Sequence, residues 1–278
     1  GHRIEQMQQS LTNLINTLQF PREQEPTDAP TSSIDFTGQL TFNRVSMRYS
    51  AETNPALLGI SFSVYPGELL AIAGDSGSGK TTTAKLALGM YRPQAGTITL
   101  DGIDIRQLRP ITLRQTFAYV PQRNHAFAGS IFDNIALADP TASLKQVKEA
   151  CHMAGLLNTI ESLPNGFDTA FREGLEAHVP QGFLRQMALA RAFLRDAPVM
   201  IMDEPASGLD KKDEQIFMET LQQLRGTRTI LMITQRPSHM RACDRVLMLE
   251  AGQIKAFGSP DEVLGNPQSQ TPKVAPAE

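Results

Sequence analysis

The stretch Gly74–Thr81, GDSGSGKT, constrains this chain more than any other. It follows the pattern G-x-x-x-x-G-K-[ST] without a departure. ELLAIAG (68–74) before it is a short apolar run closing on glycine, as a strand buried on both faces requires. TTTAKLALGMY after it has the composition of a helix. An ordinary glycine turn lacks this strand-before, helix-after setting. Gly74, Gly77 and Gly79 let the backbone curl so that its amides converge on one point. A helix starting near Lys80 adds the positive end of its dipole. The expectation is a phosphate cradle made of Gly74, Asp75, Ser76, Gly77, Ser78, Gly79, Lys80, Thr81 and Thr82. Lys80 is expected to reach the outer phosphates, and Thr81 to offer its hydroxyl to Mg2+.

VMIMDEP (199–205) supplies a second half. An apolar strand carries Asp203 to its C-terminal end, where parallel α/β sheets bind ligands. Asp203 is expected to hold the Mg2+ shell. Glu204, one residue on, is expected to act as general base on an attacking water.

The rest of the chain alternates in the same way. QLTFNRVSMRY (39–49), LLGISFSVYPGE (57–68), GTITLDG (96–102) and QTFAYVPQ (115–122) read as strands. Residues 130–196 carry helical periodicity and read as a helical insert. PVMIMDEP and RTILMITQ read as buried strands separated by the helix KKDEQIFMETLQQLRG (211–226). DRVLMLEAGQIKAFG (244–258) reads as a closing hairpin and PDEVLG (260–265) as a last short helix. The expected fold class is α/β: a parallel sheet core, an antiparallel β layer and an inserted α-helical subdomain. The expected boundaries are a core over 34–122 and 197–268, a helical subdomain over 123–196, and a disordered tail over 269–278. Ahead of these, Met7, Leu11, Leu14, Ile15 and Leu18 recur at helical spacing over 5–20. A linker rich in proline and charge runs on to residue 33.

Composition removes some function classes. With 26 basic and 29 acidic side chains the net charge is −3, so no global field draws the chain onto nucleic acid. The two cysteines, Cys151 and Cys243, are far apart and outside any metal-ligating spacing. They read as buried thiols of a reducing compartment. No apolar run approaches the roughly 18 residues of a membrane span. The opening residues, GHRIEQMQQS, lack the apolar core of a secretory leader.

In motif order and spacing, residues 35–266 resemble the nucleotide-binding domain of an ABC transporter. The resemblance implies a P-loop, RecA-like core that uses ATP and Mg2+. Tyr49, in VSMRY, matches the aromatic that stacks on adenine, and Gln122, in YVPQ, the Q-loop glutamine that touches Mg2+ and water. SGLD (207–210) resembles the D-loop that crosses between two domains. FAGSIFDNIAL (127–137) resembles the exporter segment on which the membrane domain's coupling helix docks. The implied partners are a second ATPase domain, identical or different, and a transmembrane domain on the same polypeptide. The implied location is the cytoplasmic face of a bacterial inner membrane. The likeness extends to type I secretion, bacteriocin and peptide exporters.

Two motifs depart from that family. Its signature, Leu-Ser-Gly-Gly-Gln, is replaced by Val179, Pro180, Gln181, Gly182 and Phe183. Pro180 has neither hydroxyl nor N–H, and Gln181 adds a side chain where a phosphate needs bare backbone. Each lost hydrogen bond to a charged group is worth about 1.5–3 kcal/mol. Pro180 is also a residue that starts helices well, at the first helical position. Gln235, in LMITQR, stands where the family has a histidine against the γ-phosphate. It can donate an amide hydrogen bond but cannot carry a charge. His239, four residues on, is a candidate substitute that its spacing disfavours, and Glu173 a candidate for the coupling glutamate before the signature.

Three readings follow. One is the ATPase domain of an exporter, carried by Lys80, Thr81, Gln122, Asp203 and Glu204. The second is a regulatory domain that binds ATP and dimerises with little hydrolysis. The third, a soluble ABC protein of DNA repair or translation, is disfavoured by the compact helical insert and the single acidic domain.

Overall fold

The computed structural model describes residues 35–172 and 179–265. The expected helix over 5–20, its linker, Glu173 and the tail from 269 lie outside them.

A six-stranded sheet runs through the molecule. Its edge is β12 (Gln253–Gly258), antiparallel to β11 (Arg245–Glu250). Next come β3 (Leu69–Ala73), β10 (Thr229–Ile233), β9 (Val199–Asp203) and β6 (Phe117–Val120), all parallel to β11. Every residue of β3, β9 and β10 is buried. That explains their unbroken apolar sequences, since both faces of a central parallel strand are covered.

Successive side chains point to opposite faces, so each strand feeds two cores. Leu69, Ala71 and Ala73 pack with Met200, Met202, Ile230 and Met232 against the helical insert. Leu70 and Ile72 pack with Val199, Ile201, Leu231 and Ile233 on the other side. There the cover is an antiparallel sheet in the order β2 (Leu57–Val64), β1 (Leu40–Met47), β4 (Ala95–Leu100) and β5 (Ile103–Asp104). Phe42 and Phe62, paired across β1 and β2, stack at 4.6 Å in that second core. Helix α1 (Lys80–Ala87) fills the space between the sheets.

The insert is not wholly helical. A two-stranded ribbon, β7 (Gly129–Ser130) with β8 (Ala170–Phe171), closes its base. The helical stretch after Ser143 is broken by Gly155, at φ 71°. Two helices result, Leu144–Met153 and Leu157–Glu161. Ser130 and Ser143 each cap a helix with a reciprocal capping box, which sets where those helices begin. A short helix at Pro110–Thr116, started by its proline, was not legible as a periodic segment.

Candidate functional site

The cradle forms at the C-terminal end of β3. Gly74, Gly77 and Gly79 have φ of 138°, 77° and 108°, which residues with a side chain rarely adopt. A Cβ on Gly74 would sit 2.1 Å from the Leu249 carbonyl, and one on Gly79 2.7 Å from the Ala56 carbonyl. The loop therefore depends on glycine for space as well as for φ. Asp75, Ser76 and Gly77 are exposed at its rim. Ser78 turns inward, and its buried Oγ lacks a hydrogen-bond partner among the described residues.

Helix α1 starts at Lys80, and its first backbone bond runs from Thr83 N–H to the Gly79 carbonyl, 2.9 Å. The amides of Lys80, Thr81 and Thr82 are then the helix's open N-terminal donors. The Lys80 ammonium is buried and donates to the carbonyls of Gly74 and Asp75, each at 2.7 Å. Burial lowers its pKa, and the charges of Glu204, Asp203 and Asp75 oppose that fall.

β9 delivers Asp203 to the same point. Thr81 Oγ1 donates to Asp203 Oδ2 at 3.0 Å. Asp203 is 2% exposed, and burial raises its pKa against the pull of Thr81, Lys80 and Arg185. Hydroxyl and carboxylate oxygens suit Mg2+. Among the described residues no group of three His, Cys, Asp or Glu could hold a metal alone. A magnesium ion at Thr81 and Asp203 thus needs further oxygens, which phosphates provide.

Glu204 leaves the strand in a left-handed conformation, φ 49°, a strain of about 1–3 kcal/mol. Its N–H is anchored on the Ile233 carbonyl at 2.9 Å. Burial raises its pKa, the Asp203 charge adds to the rise, and Lys80, Arg236 and Arg185 hold it down. A carboxyl shifted upward beside a buried lysine is suited to taking a proton from water.

Tyr49 lies 47% exposed at the mouth of the cradle. Its hydroxyl is 3.0 Å from Thr82 Oγ1, and the edge of Tyr91 meets its ring at 5.3 Å. Gln122 follows β6 and is exposed, with its backbone carbonyl held by Arg185 at 2.7 Å. Gln235 is exposed just past β10, which pairs Ile233 with Asp203.

His239 does not serve as a substitute for Gln235. It is buried, and its Nε2 lies 2.6 Å from Glu214 Oε1, on the helix Lys211–Leu224. Glu214 also binds Arg236, and that pairing is the first cause of its lowered pKa. The spacing already disfavours it, and a new helix, Pro237–Arg241, turns it into the interior.

The altered signature packs within its own chain. Pro180 caps the helix Gln181–Leu194, called α6 here, rather than occupying its first turn. Its φ of −54° and ψ of 136° are extended, and Gln181 is the first helical residue. Val179 and Phe183 lean on the core of the insert, and Phe183 meets Phe171 edge-on at 6.3 Å. A Cβ on Gly182 would fall 2.8 Å from the Gly208 carbonyl. The glycine that matches the family motif is therefore required by close backbone packing here. Arg185, Asn124 and Tyr91 were not singled out by spacing, because only the tertiary fold brings them to the site. Cys151 and Cys243 are free, buried thiols whose pKa burial pushes up to about 12.

A family model described as ABC transporter matches residues 57–207, more than half of the chain. The chain is 35% identical over 240 residues to an ATP-dependent lipid A-core flippase of Chromobacterium violaceum, covering 86% of this chain and 41% of the relative. A flippase of the same description from Alkalilimnicola ehrlichii is 39% identical over 230 residues, covering 82% of this chain and 38% of that one. The chain thus spans about two fifths of the length of these curated relatives. A solved structure, that of a bacterial Atm1-family ABC exporter with ATP bound, superposes with a TM-score of 0.81 at 30% identity, covering 92% of this chain and 45% of that one. Sequence and fold agree with the cradle's geometry: this chain belongs to the ABC transporter family.

Proposed function

We propose that this chain binds MgATP and hydrolyses it, as the motor domain of an exporter. The observation that carries the reading is the convergence of Lys80, Thr81, Asp203 and Glu204 just past the C-terminal ends of β3 and β9, which β10 separates in the parallel sheet. The Gly74–Thr82 backbone cradles the phosphates, and Lys80 exchanges the carbonyls of Gly74 and Asp75 for phosphate oxygens. Tyr49 stacks on adenine, freed from Thr82 as the nucleotide enters. Thr81, Asp203 and Gln122 hold Mg2+, which neutralises charge on the outer phosphates when bound. Glu204 takes the proton of the attacking water, and Gln235 donates an amide hydrogen to the γ-phosphate.

The core spans 34–122 and 197–268 and the subdomain 123–196. A second such domain and a transmembrane domain on the same polypeptide are the partners, at the cytoplasmic face of the membrane. Among the described residues no helix is long and apolar enough to cross a membrane. The exported substrate is lipid-like, peptide or protein; the names of the relatives favour lipid.

The replacement of the signature by Val179–Phe183 favours a second reading, a regulatory domain that binds ATP without turning it over. Steady-state ATPase activity of the chain, beside Lys80→Ala and Glu204→Gln, separates the two. Turnover lost in both variants, with MgATP binding kept in Glu204→Gln, supports the motor. Tight binding without turnover in the parent supports the regulatory domain.

A further inference from the structure

The residue that ties the site together is one the motifs do not name. Arg185 lies on α6, five positions past the capping Pro180, and is 5% exposed. Its guanidinium joins α6 to two other segments. Nη1 donates to the Pro121 carbonyl at 2.9 Å and Nη2 to the Gln122 carbonyl at 2.7 Å. Nε reaches the Ser207 carbonyl at 3.3 Å. Asn124, itself buried, satisfies its neighbours only with its amide assigned so that the oxygen accepts from Nη1 at 3.0 Å and the nitrogen donates to the Pro121 carbonyl at 3.2 Å. Ser207 in turn donates its N–H to the Glu204 carbonyl at 3.0 Å. One planar fork therefore fixes the backbone that bears Gln122 and, through one turn, the backbone that bears Glu204. Gly182, one turn earlier on α6, presses on the Gly208 carbonyl and closes the same junction.

Charge follows the same lines. Burial lowers the Arg185 pKa, and the carboxylates of Asp203 and Glu204 offset that. Its three carbonyl partners are neutral, so the charges of Asp203 and Glu204 are what offset its burial.

We propose that Arg185 is a positioning residue that locks Gln122 and Glu204 in register with the start of α6, so that nucleotide binding and the attitude of the 179–183 segment change as one unit. The proposal rests on the reading of this site as an ATP site. It needs arginine in particular. A lysine ammonium can bridge two successive carbonyls, as Lys80 does, but its single nitrogen cannot also span to a third carbonyl on another segment, as the separate nitrogens of the guanidinium do.

The test uses the whole chain. It contains no tryptophan, so Phe183→Trp gives a single tryptophan, excited apart from the tyrosines, at the start of α6. In that background Arg185→Lys and Arg185→Gln are compared with the parent by melting temperature, MgATP affinity, turnover and MgATP-driven fluorescence change. The lysine variant keeps a buried cation and serves if the glutamine variant fails to fold. The expected result is a folded lysine variant with kcat down about tenfold, KM within about twofold, and the fluorescence response largely lost. A response and kcat equal to the parent's would overturn the proposal. So would a KM that rises as far as kcat falls, since the site itself would then have collapsed. A parent that binds MgATP without turnover overturns hydrolysis alone, and the fluorescence response still decides the coupling. A parent that does not bind MgATP overturns both.

Discussion

Thr81 Oγ1 donates to Asp203 Oδ2 at 3.0 Å across a sequence separation of 122 residues. The hydroxyl comes from the first turn of a helix, and the carboxylate from the end of a strand two positions away in the sheet. This hydrogen bond joins the two motifs directly, and it occupies the atoms a hard cation would use.

Thr81→Ala removes that oxygen, while Thr81→Ser keeps it. The alanine variant is expected to lose Mg2+-dependent tightening of ATP binding, and the serine variant to retain it. Titration of ATP with Mg2+ and with chelator decides this. Equal Mg2+ dependence in both would sink the metal assignment.

Asp203→Asn should stabilise the nucleotide-free chain at neutral pH while abolishing Mg2+-dependent binding. The sign follows from the raised pKa, which burial causes. A folded pKa above the ordinary 3.8 means that the folded state prefers the proton. The ionised carboxylate is thus a net cost to the fold above the folded pKa. The cost is relieved as pH falls through that value, and it is gone below 3.8. Each kcal/mol relieved raises Tm by roughly 2–4 °C. Melting curves of parent and variant from neutral to acid pH check it: the gap should be widest at neutral pH and vanish in acid. A variant less stable at neutral pH contradicts the reading.

Gln235→His places a titratable ring at an exposed position beside the end of β10. Turnover should rise, with a pH dependence near the ordinary histidine range of about 6.5 that the parent lacks. Steady-state rates across pH test this. An unchanged rate would mean that Gln235 does not face the γ-phosphate.

Gly182→Ala should lower Tm without nucleotide present. The added methyl would meet the Gly208 carbonyl at 2.8 Å. Overpacking of this kind costs about 1–3 kcal/mol. A variant as stable as the parent but defective in ATP turnover would instead place Gly182 at phosphate, as in the family's signature.

Much of this molecule was legible in one dimension. The pattern of Gly74–Thr81 dictates its own geometry, because only glycine takes those φ values and only a strand-turn-helix presents the amides. The apolar runs of β3, β9 and β10 announced burial on both faces, and burial is what they have. Periodicity alone could not divide the helical insert, since a turn glycine and a two-residue ribbon leave no periodic trace. Spacing disfavoured His239 as a substitute for Gln235 but could not name its partner. One turn of helix took it to Glu214.

The sequence by itself determined the phosphate loop, the strand that bears Asp203 and Glu204, and the membership of both in one α/β sheet, because each is a local pattern with one low-energy backbone. The tertiary structure decided what Arg185, Gly182 and His239 do. Their partners lie from 22 to 64 residues away along the chain, or, for Gly182, on a neighbouring loop. Buried polar groups and close backbone contacts must be satisfied by whatever the fold brings near, and no local pattern encodes that choice.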